Sequence, residues 1–227
     1  MGRLGPLLES QMKTGLLPRL LGVLVLLATA PAMGGPMGFK DSVMAMGDFG
    51  PNWKEGFVNY ALTSRDAVGA AALTMRSDDG QRSRTLVDAS YTRLVARWNM
   101  PHAQANVWFV GGIGSVTGND FSGSRTMVSP SVQVDYETTR VYASAVARLY
   151  RARALQHDYA SARLGFSFYE ADYDEIQPWF IVEARRMRGL SDKTEVTPML
   201  RLIHNRYFVE FGVNNASQAR FNFMYIF

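Results

Sequence analysis

The sequence predicts an all-β chain folded as a transmembrane antiparallel up-and-down β-barrel of about twelve strands. Three observations predict it. Segment after segment beyond residue 37 alternates apolar and polar side chains with period two, and almost nothing shows the 3.6-residue repeat of a helix. The two faces differ: one is crowded with Phe, Val, Leu and Ala, and the other carries full charges in mid-strand, as at Arg148, Arg163, Glu183, Arg185, Arg201 and Glu210. The final segment places Phe221, Phe223, Tyr225 and Phe227 on one face and Arg220, Asn222, Met224 and Ile226 on the other.

Composition agrees. At 47% hydrophobic, 19% charged and mean hydropathy −0.09, the chain is too polar for a bundle of membrane helices. At 12% aromatic it is too aromatic for a disordered chain. The absence of cysteine excludes disulfide frameworks and thiolate metal sites. A net charge of +4 with scattered Lys and Arg offers no clustered basic face, so nucleic acid is not an expected partner.

Residues 1–32 read as a signal peptide. Arg3, Lys13 and Arg19 make a positive leader, Leu20 to Leu27 an apolar run, and Ala28-Thr29-Ala30 a small-residue cleavage site, with Ala32 a competing position. The apolar run is short of the ~20 residues a membrane helix needs. A short segment, 33–36, then leads into the barrel at 37–227.

Strands are expected at 37–47, 54–63, 67–76, 85–98, 103–114, 126–137, 140–150, 159–169, 177–187, 195–203, 206–213 and 219–227. Each is an alternating run bounded by turn-forming residues. The run 159–169, for example, sets Ala160, Ala162, Leu164, Phe166 and Phe168 against Tyr159, Ser161, Arg163, Gly165, Ser167 and Tyr169. A ten-strand barrel is the alternative if two weak segments are not strands. A soluble sandwich would show similar alternation, but the apolar face is too large for one small core.

The closing strand, aromatic on one face and ending at Phe227, resembles the terminal strand of bacterial outer-membrane β-barrel proteins. The resemblance covers that strand in particular and the rest of the chain through its alternation. It implies an outer-membrane location, outer-membrane lipid around the barrel, and capture by the barrel-assembly machinery through the strand ending in Phe227. It also implies that the last strand descends to the periplasm. Counting back puts outer loops at 214–218, 188–193, 151–158, 115–125 and 77–84. The strand at 54–63 then descends too, so 37–47 must bring the chain up, through a breaker-rich turn at 48–52. Tyr60, Trp98, Tyr136, Phe168, Tyr207 and Tyr225 fall outward near the periplasmic ends, as an aromatic girdle.

The polar face then lines a lumen. Its expected members are Lys40, Arg93, Arg97, Asp135, Glu137, Arg148, Arg163, Glu183, Arg185, Arg201 and Glu210, with Arg220, Trp108, Tyr142, Tyr150, Tyr159, Tyr169 and Trp179 among them. Placing Arg93 and Arg97 inward turns Ser90 and Thr92 to lipid, which costs less than an arginine at the midplane. Asp135 is expected beside Arg148, Glu183 or Arg185 near Arg201, and Arg201 beside Glu210. Two readings stand: a network of buried charges that fills the barrel, or a narrow channel or binding barrel for a small solute or ion whose excess arginine favours anions. The alternative functions are a non-conducting scaffold barrel and an envelope copper- or metal-handling barrel that uses the N-terminal methionines.

No enzyme is expected. His102 and His204 fall in turns, and His157-Asp158 precedes Ser161 at a spacing common by chance. No cofactor is expected either, except that Met44 and Met46 share an inward face and thioethers suit Cu(I). Two methionines alone do not complete such a site, and methionine is also a common filler of apolar gaps.

Overall fold

The computed structural model describes residues 35–227 apart from positions 154 and 173. The expected signal peptide therefore lies outside the described residues. The elements are β1 (Val43–Phe49), β2 (Trp53–Ala61), β3 (Asp66–Arg76), β4 (Ser83–Met100), β5 (Ala103–Gly118), β6 (Arg125–Val128), β7 (Ser131–Thr138), β8 (Val141–Ala152), β9 (Leu155–Ser167), β10 (Gln177–Arg188), β11 (Thr194–His204), β12 (Tyr207–Val213) and β13 (Ala219–Ile226).

Each strand pairs antiparallel with its sequence neighbours, and β1 pairs with β13, so the sheet closes into a ring. β6 and β7 are two halves of one stave. Both lie between β5 and β8, interrupted at Ser129-Pro130, where proline has no N–H to give the ladder. The ring thus has twelve staves, and the ten-strand alternative falls away.

The alternation read from the sequence is the alternation of lipid face and lumen face. Outward side chains such as Leu164 (67% exposed) and Ile113 (62%) are apolar and uncovered by protein. So broad an apolar exterior would drive a soluble protein to aggregate, and hydrocarbon is the solvent that suits it. Closure also answers the edge problem, because every strand finds a partner on both sides. Connections are short. That between β11 and β12 is the pair Asn205-Arg206, with Asn205 at φ 53°, the left-handed geometry that tight hairpins need and asparagine tolerates.

The strands run further than the sequence suggested on the side away from the chain termini. β8 continues to Ala152 and β9 starts at Leu155, so the expected loop at 151–158 is almost wholly strand. β5 likewise reaches Gly118. The first strand is shifted rather than absent. β1 occupies Val43–Phe49, whereas 35–42 is irregular and turns into the mouth of the barrel at the end where Phe227 lies. Asp41, at φ 66°, makes the corner. Met37 is buried with Ala61, Ala67, Leu94 and Trp108, and the Pro36 carbonyl accepts from Asn59 Nδ2 at 2.7 Å. The segment thus lines this end of the lumen.

One irregularity reverses a face. The register between β4 and β5 slips between Leu94 and Ala96, a β-bulge. Above it Arg84, Leu86, Asp88, Ser90, Thr92 and Leu94 point inward and are buried; beyond it the parity changes, and Arg97 is the residue that faces the lumen. Ser90 and Thr92 therefore face inward, and Arg93 faces out.

Candidate functional site

The inner face is a layered network of charges, held by strands that are rigid because both neighbours pair with them. Nearest the outer loops, Arg185 on β10 donates through Nε to Glu195 at 2.8 Å and lies 3.5 Å from Asp48 on β1. Arg220 on β13 donates to Asp48 at 2.9 Å and to Glu183 at 3.2 Å. One layer in, Arg163 reaches Glu183 at 3.1 Å and Glu210 at 3.3 Å, and Arg201 reaches Glu210 at 2.8 Å. The Arg201 guanidinium is also sandwiched between the rings of Tyr142 and Phe208, 4.4 Å and 4.7 Å from their centroids.

On the facing wall, Arg148 leaves β8 and crosses to β2, donating to Glu55 at 2.6 Å. Five steps round a twelve-stave ring separate those strands, so this bridge spans the lumen. Its other nitrogen lies 3.7 Å from Asp88 on β4, which also accepts from Ser129 at 2.6 Å. Toward the end lined by 35–42, Arg97 donates to Asn106 at 2.7 Å, and Asn106 and Trp108 both donate to Asp135, at 2.6 and 2.7 Å.

Nine of the eleven expected lumen residues are inside: Arg97, Asp135, Glu137, Arg148, Arg163, Glu183, Arg185, Arg201 and Glu210. Two are not. Lys40 lies in the irregular entry segment, solvent-exposed beside Asp41, because β1 begins only at Val43. Arg93 faces out because of the bulge and pairs at 2.6 Å with Asp66 beside Tyr91. Tyr169 is also outside the lumen, half exposed in the turn after β9. Of the expected pairs, Arg201 with Glu210 is present. Asp135 is not beside Arg148 but is bound by Asn106 and Trp108, and Glu183 and Arg185 pair with Arg163, Arg220, Asp48 and Glu195 instead of Arg201.

Four acids escaped the sequence reading: Asp48, Glu55, Asp88 and Glu195. The expected excess of arginine disappears with them. Among the described residues seven inward arginines (Arg84, Arg97, Arg148, Arg163, Arg185, Arg201, Arg220) face eight inward carboxyls (Asp48, Glu55, Asp88, Asp135, Glu137, Glu183, Glu195, Glu210). Alternation could have found Glu55, which shares its face with Trp53 and Asn59; Asp48 was hidden by its place in an expected turn, and Asp88 by the bulge.

A cavity of about 210 Å³ lies in the lumen beneath this network, lined in part by Pro36, Met46, Phe57, Gln133, Ser144 and Arg201. That is room for several waters, and less than the roughly 300–1,000 Å³ that encloses a drug-sized ligand. Several buried donors, among them Arg185 Nη1 and Nη2, Arg220 Nε and Trp179 Nε1, have no hydrogen-bond partner within the protein. Buried donors rarely go unsatisfied, so these call for water in the lumen.

Met44 and Met46 do face inward, but Met44 is fully buried in an apolar cluster with Phe208, Met224 and Ile226, against which Met46 and Phe57 pack. Among the described residues no group of three or more His, Asp or Glu is placed to hold a metal ion. His157 is buried at the outer end of the lumen against Arg84, not paired with Ser161; His204 meets the Asp174 carbonyl and Asn205. In the outer loops, the Arg84 guanidinium donates to Asp120 at 2.5 Å and holds its carboxyl below the usual 3.8, and the Ser77 hydroxyl does the same for Asp79.

No family model and no curated relative matches the chain. Solved structures do. The chain is similar to the "KdgM porin" at 12% identity and a TM-score of 0.45, over 82% of this chain and 98% of that one. It is similar to LpxR from Salmonella typhimurium at 8% identity and a TM-score of 0.47, over 82% of this chain and 99% of that one. Pseudomonas aeruginosa OccK8 (OprE) matches at 7% identity and a TM-score of 0.38, over 81% of this chain and 62% of that one. Independently of these matches, the closed twelve-stave antiparallel ring, apolar exterior and charged interior are those of a transmembrane β-barrel.

Proposed function

We propose that the protein is a narrow outer-membrane channel for ions and very small solutes, held shut by the Arg148 bridge across its lumen. The supporting observation is that bridge: Arg148 reaches Glu55 on a stave five positions away, in a lumen that otherwise keeps open volume and water-seeking donors. A barrel with no traffic has no need of a wet interior, and apolar side chains would fill it at lower cost. With eight inward carboxyls against seven arginines, the lumen charge is nearly balanced, so the open pore has no preference for anions and a slight one for cations. The size of the cavity argues against oligomeric solutes.

Planar-bilayer recording tests this. Arg148→Ala is expected to raise unit conductance or open probability severalfold over wild type, with a reversal potential in a salt gradient on the cation side. Silence of both proteins in all salts removes the channel reading and leaves the non-conducting scaffold barrel.

A further inference from the structure

The outer face of the barrel is apolar over most of its height, and at the loop-side border one sector differs from the rest. On β8 the outward residues run Val141, Ala143, Ala145, Ala147, Leu149 and then Arg151. On β9 they run Phe166, Leu164, Ala162, Ala160 and then Asp158. On β10 they run Pro178, Phe180, Val182, Ala184 and then Arg186 and Arg188. The three staves are adjacent, and their apolar bands end at one level: Asp158 is the register partner of both Leu149 and Arg188, and Arg186 stands opposite Ala160.

Asp158 joins two of these cations, accepting from Arg151 at 2.5 Å and from Arg188. Two guanidiniums thus share one carboxylate, and the third, Arg186, stands beside them. Arg188 remains 74% exposed at its side chain, and among the described residues Arg186 has neither an ion pair nor a hydrogen bond to an acid. Exposed pairs of this kind add little stability, so they do not account for arginines on a lipid-facing wall. Elsewhere the outward strand positions at the same border are Phe49, Thr85, Thr117, Thr126 and Phe221, and among the described residues the cations there are Lys54 and Arg76, both on the β2–β3 side.

We infer that this sector, Arg151, Arg186 and Arg188 on β8–β10, is a docking patch for the phosphorylated sugar headgroup of an outer-leaflet glycolipid. The height is that of a headgroup, directly above an apolar band of about the ~25 Å that outer-membrane barrels carry. The chemistry fits too. Planar guanidiniums bind phosphate oxygens in bidentate fashion, and a monoester dianion matches a patch that retains two positive charges beyond its own carboxylate. The acyl chains of the same lipid would lie on Leu149, Leu164 and Val182, which are exposed below it. The inference rests on the outer-membrane orientation with the 153–154 and 189–193 connections outward, and not on conduction.

The test uses wild-type barrel in phosphatidylcholine vesicles containing a fluorescent bisphosphorylated lipid A, the same lipid A stripped of phosphate, or phosphatidylglycerol, with tryptophan-to-dye energy transfer as the readout. The variants are the triple change Arg151→Gln/Arg186→Gln/Arg188→Gln and a control, Lys54→Gln/Arg76→Gln. Each arginine near a charged headgroup is worth about fivefold in binding, so the triple variant should bind phosphorylated lipid A on the order of a hundredfold more weakly. Wild type should prefer that lipid to both others, and the control should match wild type. Arg188→Gln alone, at the most exposed position, is expected to lose about fivefold and covers the case that the triple variant does not fold. Equal binding of stripped lipid A or phosphatidylglycerol by wild type overturns the inference, as does unchanged binding by the folded triple variant. Conductance unaltered by these substitutions separates this outcome from that of the channel experiment.

Discussion

Truncating Glu210 to alanine should be among the most damaging single changes the lumen can suffer. Its carboxylate is fully buried and accepts from Arg201 Nε at 2.8 Å, Asn222 Nδ2 at 2.8 Å and Arg163 Nη1 at 3.3 Å. Arg163 would keep Glu183 at 3.1 Å, but among the described residues Arg201 has no second carboxylate within ion-pair distance. Removing one partner of a buried pair costs about 3–5 kcal/mol, because the other charge stays behind. Arg201 borders the 210 Å³ cavity, where water can partly resolvate it, which places the expectation at the low end, about 3 kcal/mol. Glu210→Gln keeps an acceptor for Arg201 and should cost about half as much. The double change Arg201→Met/Glu210→Leu removes both charges together and should return to within about 1 kcal/mol of wild type. Urea titration in phospholipid vesicles, followed by the emission of the four tryptophans and by gel mobility of the folded barrel, measures all three. A cost below about 1 kcal/mol for Glu210→Ala would refute the claim that this network is tightly coupled.

Acid should loosen the outer loops before the barrel. The carboxyls of Asp79 and Asp120 lie below their ordinary 3.8, so their contribution is present above that value and is lost as pH falls through the lower folded values. Pepsin cleavage within 77–82 and 119–124 should therefore rise as the pH is lowered below the ordinary 3.8, with the strands still protected; cleavage that stays flat on acidification contradicts the assignment. In the wall itself, Gly114→Val should cost about 1–3 kcal/mol, since a Cβ there would meet the Val87 carbonyl at 2.0 Å and Asp88 Cα at 2.5 Å. Gly56→Ala, where a Cβ meets nothing within 4 Å, should be neutral or slightly stabilising in the same urea assay.

The sequence was most legible where a physical constraint repeats. A strand with lipid on one side and charge on the other writes its identity every second residue, so β10 to β13 could be read nearly end to end. Parity carries no mark of where it slips. The bulge between Leu94 and Ala96 moved Arg93 to the outside, turned Ser90 and Thr92 inward and concealed Asp88, all through one extra residue. Pairing across the lumen is equally silent, because Arg148 and Glu55 are 93 residues apart and only closure of the ring brings them together. Hence the charge of the lumen was misjudged although most of its members were correctly placed. The entry segment was misread for another reason: Lys40 and Ser42 alternate with Met44 and Met46 as a strand would, but Asp41 turns the chain into the mouth.

The unequal lengths of the staves have a mechanical consequence. β4 and β5 run 18 and 16 residues along each other, whereas the closing pair, β1 and β13, have 7 and 8. Under a force pulling the chain out of the bilayer by its ends, the short ladder yields first and opens the ring like a zip. The long hairpin stays in the membrane as the last piece to leave. The wall therefore has a seam and a spine, and the first and last strands of the ring meet at the seam.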